Sequence, residues 1–153
     1  MPLGQFVFRT RRRELQLGTT LSLDPGLTTG WALFQDYHLA KCGQFHGLDF
    51  VHYQEIIEQY APAQVVCENY RVYAHRAAQH VGSDVPVAQI IGAVKFLCMR
   101  WGTPLHLQMA YQAKGFVTDP RLRELGLFQE GQPHATDAIR HAVYWFLFGK
   151  VPE

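Results

Sequence analysis

The segment TTLSLDPGLTTGWA, residues 19–32, decides the fold of this 153-residue chain. Its first part, Thr19–Asp24, alternates polar and apolar side chains, which predicts a β-strand, and the Pro-Gly pair that follows predicts a turn. Gly30–Phe34 and Leu39–Phe45 are predicted as two further strands. The pattern therefore indicates an antiparallel meander with an aspartate at the end of its first strand.

Helical and strand patterns alternate through the rest of the chain. The predicted elements, in chain order, are a helix at 49–60, a strand at 63–68, a helix at 86–101, a strand at 105–109 and a helix at 135–148. The order βββαβαβα predicts an α/β domain whose mixed sheet is covered by helices. We assign residues 19–150 to this domain and residues 1–18 to a basic N-terminal arm.

Composition excludes several classes of protein. A hydrophobic content of 48% with only 18% charged residues excludes a disordered chain. The three cysteines are odd in number and far apart, which argues against a disulfide framework and a thiolate zinc site. The most apolar run, Ala142–Phe148, is too short to span a bilayer. We expect a soluble cytoplasmic protein without a membrane partner.

The net charge of +1 predicts no partner, so a nucleic-acid surface would have to come from local clusters of charge. One such cluster lies in the arm, where four arginines occupy five positions: Arg9, Arg11, Arg12 and Arg13. Two interpretations stay open. The arm is either a solvated or edge segment, or a segment that contacts phosphate.

Three carboxylates lie where acids are unexpected. Asp24 and Glu68 each end an apolar strand, and Asp137 lies in the first turn of an apolar helix. Each alone is readily explained as a turn former or helix cap. If the first and fourth strands are parallel neighbours, however, the two strand carboxylates emerge at one edge, and the last helix can add the third. Carboxylates crowded together repel unless a cation such as Mg²⁺ or Mn²⁺ neutralises them.

Two histidines accompany Asp137 on the last helix. His134 precedes it by three residues, so both share one face of the helix. Beside a metal site we favour metal ligation or proton transfer for His134. His141, four residues further along the same stripe, is expected to be a supporting or surface histidine.

Three motifs in order, LDPGLTTGWA at 23–32, VCEN at 66–69 and HATDA at 134–138, resemble the RuvC family of Holliday-junction resolvases. The resemblance implies a ribonuclease-H-like fold of retroviral-integrase type over residues 19–148. The family has Asp or His three residues before its last aspartate, which matches His134. The family also has a lysine after its fifth strand that contacts DNA near the active site, and AYQAK at 110–114 supplies Lys114.

The resemblance implies metal-dependent phosphodiester hydrolysis at four-way DNA junctions, with two Mg²⁺ or Mn²⁺ ions per site. Asp24 would contact both ions, Glu68 one, and Asp137 with His134 the other, while Lys114 would bind phosphate. A junction is approximately two-fold symmetric, so paired nicks call for a homodimer. The apolar helix 86–101 is the candidate interface, although burial within one subunit would also explain it.

The chain departs from the family pattern in two places. The basic arm has no counterpart, and we list its Arg11, Arg12 and Arg13 as candidate DNA contacts. The family uses an aromatic residue after the glutamate strand to open bases at the crossover. The candidates here are Tyr70, Arg71 and Tyr73, none of them at a secure alignment. Small divergent members are common in bacteriophages, which makes a bacterial or phage-infected cell the expected location.

Three other functions share features with this sequence. The segment around Asp24 resembles the phosphate loop of sugar kinases and actin-like ATPases, but those enzymes need two such domains around a cleft. A ribonuclease H acting on RNA–DNA hybrids would share the fold and the metals, and would usually be monomeric. A non-catalytic module that binds branched DNA would have no use for crowded carboxylates.

Overall fold

The computed structural model describes residues 18–70 and 85–149. Within these residues the five strands are β1 (Thr19–Asp24), β2 (Thr28–Gln35), β3 (His38–His46), β4 (Gln64–Asn69) and β5 (Leu105–Met109). They form one sheet in the order β3-β2-β1-β4-β5, in which β1, β2 and β3 are antiparallel and β4 and β5 run parallel to β1. The predicted fold class, a mixed five-stranded sheet flanked by helices, is confirmed.

In the described part of the chain, five helices accompany the sheet: α1 (Phe50–Tyr60), α2 (Pro86–Trp101), α3 (Ala110–Phe116), α4 (Asp119–Glu124) and α5 (Pro133–Phe148). The sequence pattern predicted α1, α2 and α5 but missed α3 and α4. At seven and six residues these two are too short to carry a periodic signal or to be stable alone, so their conformation depends on tertiary contacts. No helix in the described part of the chain is long and apolar enough to cross a bilayer.

The two faces of the sheet carry different cores because side chains alternate along each strand. On β1, Leu21 and Leu23 join the core beneath α1 and α2. The core on the opposite face lies beneath α5 and includes Val66 of β4. Ser22 and Asp24 alternate with the two leucines, so they lie on the α5 face. The polar end of β1 therefore opens toward the helix that carries the HATDA motif.

The predicted basic arm stays a prediction. Arg11, Arg12 and Arg13 lie outside the described residues, as do Arg71 and Tyr73.

Candidate active site

The parallel pairing of β1 with β4 brings the first two carboxylates together. Its register runs to Leu23 opposite Cys67, so Asp24 and Glu68 are the next residues along each strand. Both lie on the α5 face. Asp24 is buried and Glu68 is half-buried, and the two carboxyl groups lie close enough for each to shift the pKa of the other. The expected meeting of these two residues at one sheet edge is confirmed.

The first turn of α5 adds the histidine of the predicted set. The His134 Nδ1 atom lies 3.2 Å from Asp24 Oδ2. Asp137, one turn later, is close enough for its charge to act on Asp24. The structure therefore brings all four predicted ligands to one end of the sheet.

Two residues on neighbouring strands determine how closely α5 approaches the sheet. Gly30 of β2 lies opposite Asp24 on one side and opposite Gln44 of β3 on the other. A Cβ atom on Gly30 would lie 1.8 Å from the carbonyl oxygen of His134, so only glycine leaves room for the helix. Gln44 Oε1 accepts hydrogen bonds from the backbone N–H groups of His134 (2.8 Å) and Ala135 (3.2 Å). It therefore caps a helix whose own N-cap residue makes no side-chain cap.

Asp137 lies between two cations. Lys114 Nζ of α3 is 3.4 Å from one of its carboxylate oxygens, and Arg140 Nε is 3.2 Å from the other. The guanidinium of Arg140 is buried and also bonds to the carboxylate of Asp119 and to the carbonyl of Val117. Arg140 thus connects α5 to the start of α4. Lys114 lies beside the proposed ligands, and its contact with DNA phosphate stays a prediction.

A buried histidine supports Glu68 from behind. His141 Nε2 lies 2.8 Å from Glu68 Oε2, and its other ring nitrogen lies 2.9 Å from Gln108 Nε2. Gln108 lies opposite Glu68 in the β4–β5 register, so both face α5. His141 has 0% exposure, so the supporting role expected of it holds and the surface alternative is wrong.

Crowding gives the site its electrostatic character. Burial, together with the hydrogen bond and charge of Glu68 and the charge of Asp137, raises the pKa of Asp24 from 3.8 to about 9. Burial also acts to raise the pKa of Glu68, but hydrogen bonds from His141 and Asp24 outweigh it and lower that pKa overall. Burial acts to lower the pKa of Lys114, yet the three carboxylates raise it overall. Burial and the neighbouring acids therefore disfavour the charged form of Asp24 more than that of Glu68.

The turn after Asp24 is fixed by a short chain of hydroxyl groups. Tyr53 of α1 donates to the carbonyl of Gly47 (2.8 Å), and its oxygen lies 2.7 Å from Thr29 Oγ1. The Thr29 hydroxyl in turn lies 3.0 Å from the carbonyl of Gly26. These bonds fix the turn to the end of β3 and to α1. The strand end that carries Asp24 is thereby held in place.

The donor set suits a hard divalent cation. Three carboxylates and one imidazole converge there, and burial together with the neighbouring acids raises the pKa of Asp24. Within residues 18–70 and 85–149, no three acidic, histidine or cysteine side chains are already arranged as a metal site. The residues fit Mg²⁺ or Mn²⁺ in chemistry, and ligation requires local side-chain rearrangement.

The predicted DNA contact Tyr70 follows β4 and is half-buried. Its ring packs against the core on the α1 and α2 side of the sheet, and its backbone N–H bonds to the side chain of Asn69 (2.9 Å). A base-stacking role for Tyr70 stays a prediction.

Comparison with solved structures identifies the fold. The Thermus thermophilus RuvC structure in complex with a Holliday junction substrate superimposes with a TM-score of 0.64 at 17% identity, covering 84% of this chain and 94% of that one. A second Thermus thermophilus RuvC structure gives a TM-score of 0.60 at 17% identity, with 83% and 94% covered. The chain has the RuvC fold.

The yeast mitochondrial Holliday junction resolvase Ydc2 shares the RuvC fold with this chain as well. Its TM-score is 0.59 at 12% identity, covering 94% of this chain and 83% of that one. No family model and no curated protein matches the chain at the level of sequence. The likeness therefore lies in the path of the backbone.

Three residues that support the site were not predicted from sequence: Gln44, Gln108 and Arg140. Glutamine and arginine in alternating or helical patterns are typical of solvated faces, and nothing local marks these three as partners of the site. For His141, by contrast, a signal of a supporting role was present in the sequence: it lies four residues after Asp137, which places both on one stripe of α5.

Proposed function

We propose that this chain is a structure-selective endodeoxyribonuclease that resolves four-way DNA junctions by paired, metal-dependent hydrolysis. The observation that supports the proposal is the meeting of Asp24, Glu68, His134 and Asp137 at one sheet edge of the RuvC fold. Among the solved structures with this fold, RuvC is in complex with a Holliday junction substrate, and Ydc2 is a Holliday junction resolvase.

Each side chain of the proposed site has a definable task. Asp24, Glu68, His134 and Asp137 would hold one or two Mg²⁺ or Mn²⁺ ions, which when bound activate water and stabilise the leaving oxygen. Asp24, the most buried of the three acids, would be the shared ligand. Lys114 is 49% exposed and lies at the rim, where its ammonium group can pair with the scissile phosphate. Arg140 orients Asp137 from the buried side.

We propose a homodimer formed through α2. The inner face of this helix is buried, as Ile90, Val94 and Leu97 show. Phe96 and Met99, three residues apart and therefore on one stripe, are 62% and 82% exposed. Large apolar side chains left exposed on a helix favour contact with a second apolar surface. A second copy of the same helix would provide a two-fold interface suited to a two-fold symmetric junction.

The test is incubation of the purified full chain with a synthetic four-way junction, with and without Mg²⁺ or Mn²⁺, mapping nicks on all four strands. We expect nicks at symmetric positions on two opposing strands, only with metal. A linear duplex of the same sequence and an RNA–DNA hybrid are the matched substrates. Preferential cutting of the hybrid would indicate a ribonuclease H instead.

Asp24→Asn is the matched protein control. The amide keeps the size of the side chain and can donate to Glu68 as protonated aspartate does, but it removes a charged ligand. We expect junction binding to persist and cutting to be lost. Binding by the wild-type protein without cutting in either metal would indicate a branched-DNA-binding module and contradict the enzymatic proposal.

A further inference from the structure

His141 and Gln108 form a hydrogen-bonded network behind Glu68, and the donors and acceptors in it determine how each group is oriented. Gln108 Nε2 lies within bonding distance of two atoms of one residue: His141 Nδ1 at 2.9 Å and the His141 carbonyl oxygen at 2.7 Å. A carbonyl oxygen only accepts, so the Gln108 atom facing it must be the amide NH₂. Rotating the amide by half a turn would place oxygen against oxygen at 2.7 Å. The backbone of His141 thus determines the orientation of Gln108.

This orientation determines the tautomer of the histidine. The second N–H of the Gln108 amide points to Nδ1 of His141, so Nδ1 must accept and cannot carry a proton. The proton of the neutral ring therefore resides on Nε2, which donates to Glu68 Oε2 at 2.8 Å. The ring is fully buried, and no water is needed to complete its two bonds.

We infer that His141 is a positioning residue that fixes the carboxylate of Glu68 for metal ligation, with Gln108 fixing the His141 tautomer. The inference rests on the proposed function insofar as Glu68 is a metal ligand. His141 occupies one oxygen of Glu68, which leaves the other for a cation and favours ligation through a single oxygen. Because His141 and Asp137 lie on one stripe of α5, the same contact also couples Glu68 on β4 to the helix that carries the opposite side of the site.

The first test measures the tautomer directly in the wild-type full chain. Long-range ¹H–¹⁵N NMR correlations distinguish a ring protonated at Nε2 from one protonated at Nδ1. We expect the His141 spectrum of a neutral ring with its proton on Nε2. A proton on Nδ1 would overturn the assignment, whatever the protein does to DNA.

The second test measures Mn²⁺ binding by calorimetry without DNA, together with the Mn²⁺ concentration that gives half-maximal junction cutting. His141→Leu keeps much of the side-chain bulk and removes the donor, and we expect a loss of Mn²⁺ affinity of about 10- to 100-fold. His141→Gln, whose amide can donate to Glu68, should recover much of that loss. Ile139→Ala, a buried change on the other side of α5, should lower stability but leave Mn²⁺ affinity unchanged.

The results distinguish failure of the positioning role of His141 from failure of the proposed nuclease function. Wild-type affinity in a folded His141→Leu protein would refute the positioning role. If His141→Leu does not fold, Gln108→Leu removes the tautomer lock while leaving the ring in place, and unchanged Mn²⁺ affinity there would refute the inference equally. A wild-type protein that binds Mn²⁺ but cuts no junction would contradict the proposed function while leaving the effect of His141 on Mn²⁺ binding measurable.

Discussion

Replacing Gly30 with alanine adds a single methyl group at the point where α5 meets the sheet. The added Cβ would lie 1.8 Å from the His134 carbonyl oxygen and 2.0 Å from its carbonyl carbon, whereas real Cβ contacts essentially never fall below 3.0 Å. Both atoms belong to helix backbone, which cannot rotate away as a flexible side chain would. The first turn of α5 must therefore move away from β2.

The size of this movement sets the expected loss. The contact has to widen from 1.8 Å to at least 3.0 Å, and His134 and Asp137 move with the helix. A displacement of about 1 Å in a catalytic group costs on the order of 100-fold in rate. The Gln44 cap, at 2.8 Å from the His134 N–H, would also be stretched. Overpacking of a closed contact costs about 1–3 kcal/mol in the free energy of unfolding.

Thermal unfolding and junction cutting at saturating Mn²⁺ measure the two effects. We expect Gly30→Ala to unfold at a lower temperature and to cut at least about 100-fold more slowly than wild type. Gly92→Ala is a control for the unfolding measurement only, since Gly92 lies on the same stripe of α2 as Phe96 and Met99. Its added methyl meets nothing within 4 Å in the subunit and should stabilise that helix by about 0.5–1 kcal/mol. A Gly30→Ala protein with wild-type unfolding and wild-type cutting would refute the role assigned to this glycine.

Four further predictions test the site and the interface. The pKa of Asp24 is about 9 in the fold against 3.8 unfolded, so the metal-free protein should lose stability as pH rises from about 4 to about 9. Asp24→Asn should make the unfolding temperature depend less on pH in thermal unfolding scans. Lys114→Ala should reduce the cutting rate by at least about tenfold, while shifting the salt slope of junction affinity by only about one; equal losses would place Lys114 in the general DNA surface. Phe96→Glu with Met99→Glu should give a monomer by light scattering that no longer makes paired nicks, and a persistent dimer would exclude this face. His134→Ala should be severely impaired in both metals, whereas His134→Asp should keep substantial Mg²⁺ activity; a fully active His134→Ala protein would leave a site of three carboxylates.

The elements that carry the site were predictable because their signals are local. Alternation along Thr19–Asp24 and the apolar run before Glu68 specify strands, and the periodicity of α5 specifies a helix with His134 and Asp137 on one face. Once the strands are placed side by side in parallel, their carboxyl ends must meet at one edge. The four proposed ligands followed from these patterns and from the resemblance to the RuvC family.

The short helices α3 and α4 were missed for the opposite reason. Each has too few residues for a repeating pattern, and each is stabilised by contacts with other elements of the fold. Lys114 of α3 pairs with Asp137 of α5, and Arg140 of α5 reaches the carboxylate of Asp119 at the start of α4. Tertiary contacts of this kind leave no trace in a local window of sequence.

By itself, the sequence determined which residues form strands and helices and which acids end them. Only the tertiary structure decided what surrounds those acids. Gln44 caps a helix 90 residues away, and His141 donates to Glu68 across 73 residues. Gly30, which has no side chain, leaves room for α5 to approach the sheet. The physical reason is that periodicity reports which side of an element is buried. The partner of a buried polar group is instead chosen by the register and approach distance of elements far apart in the chain.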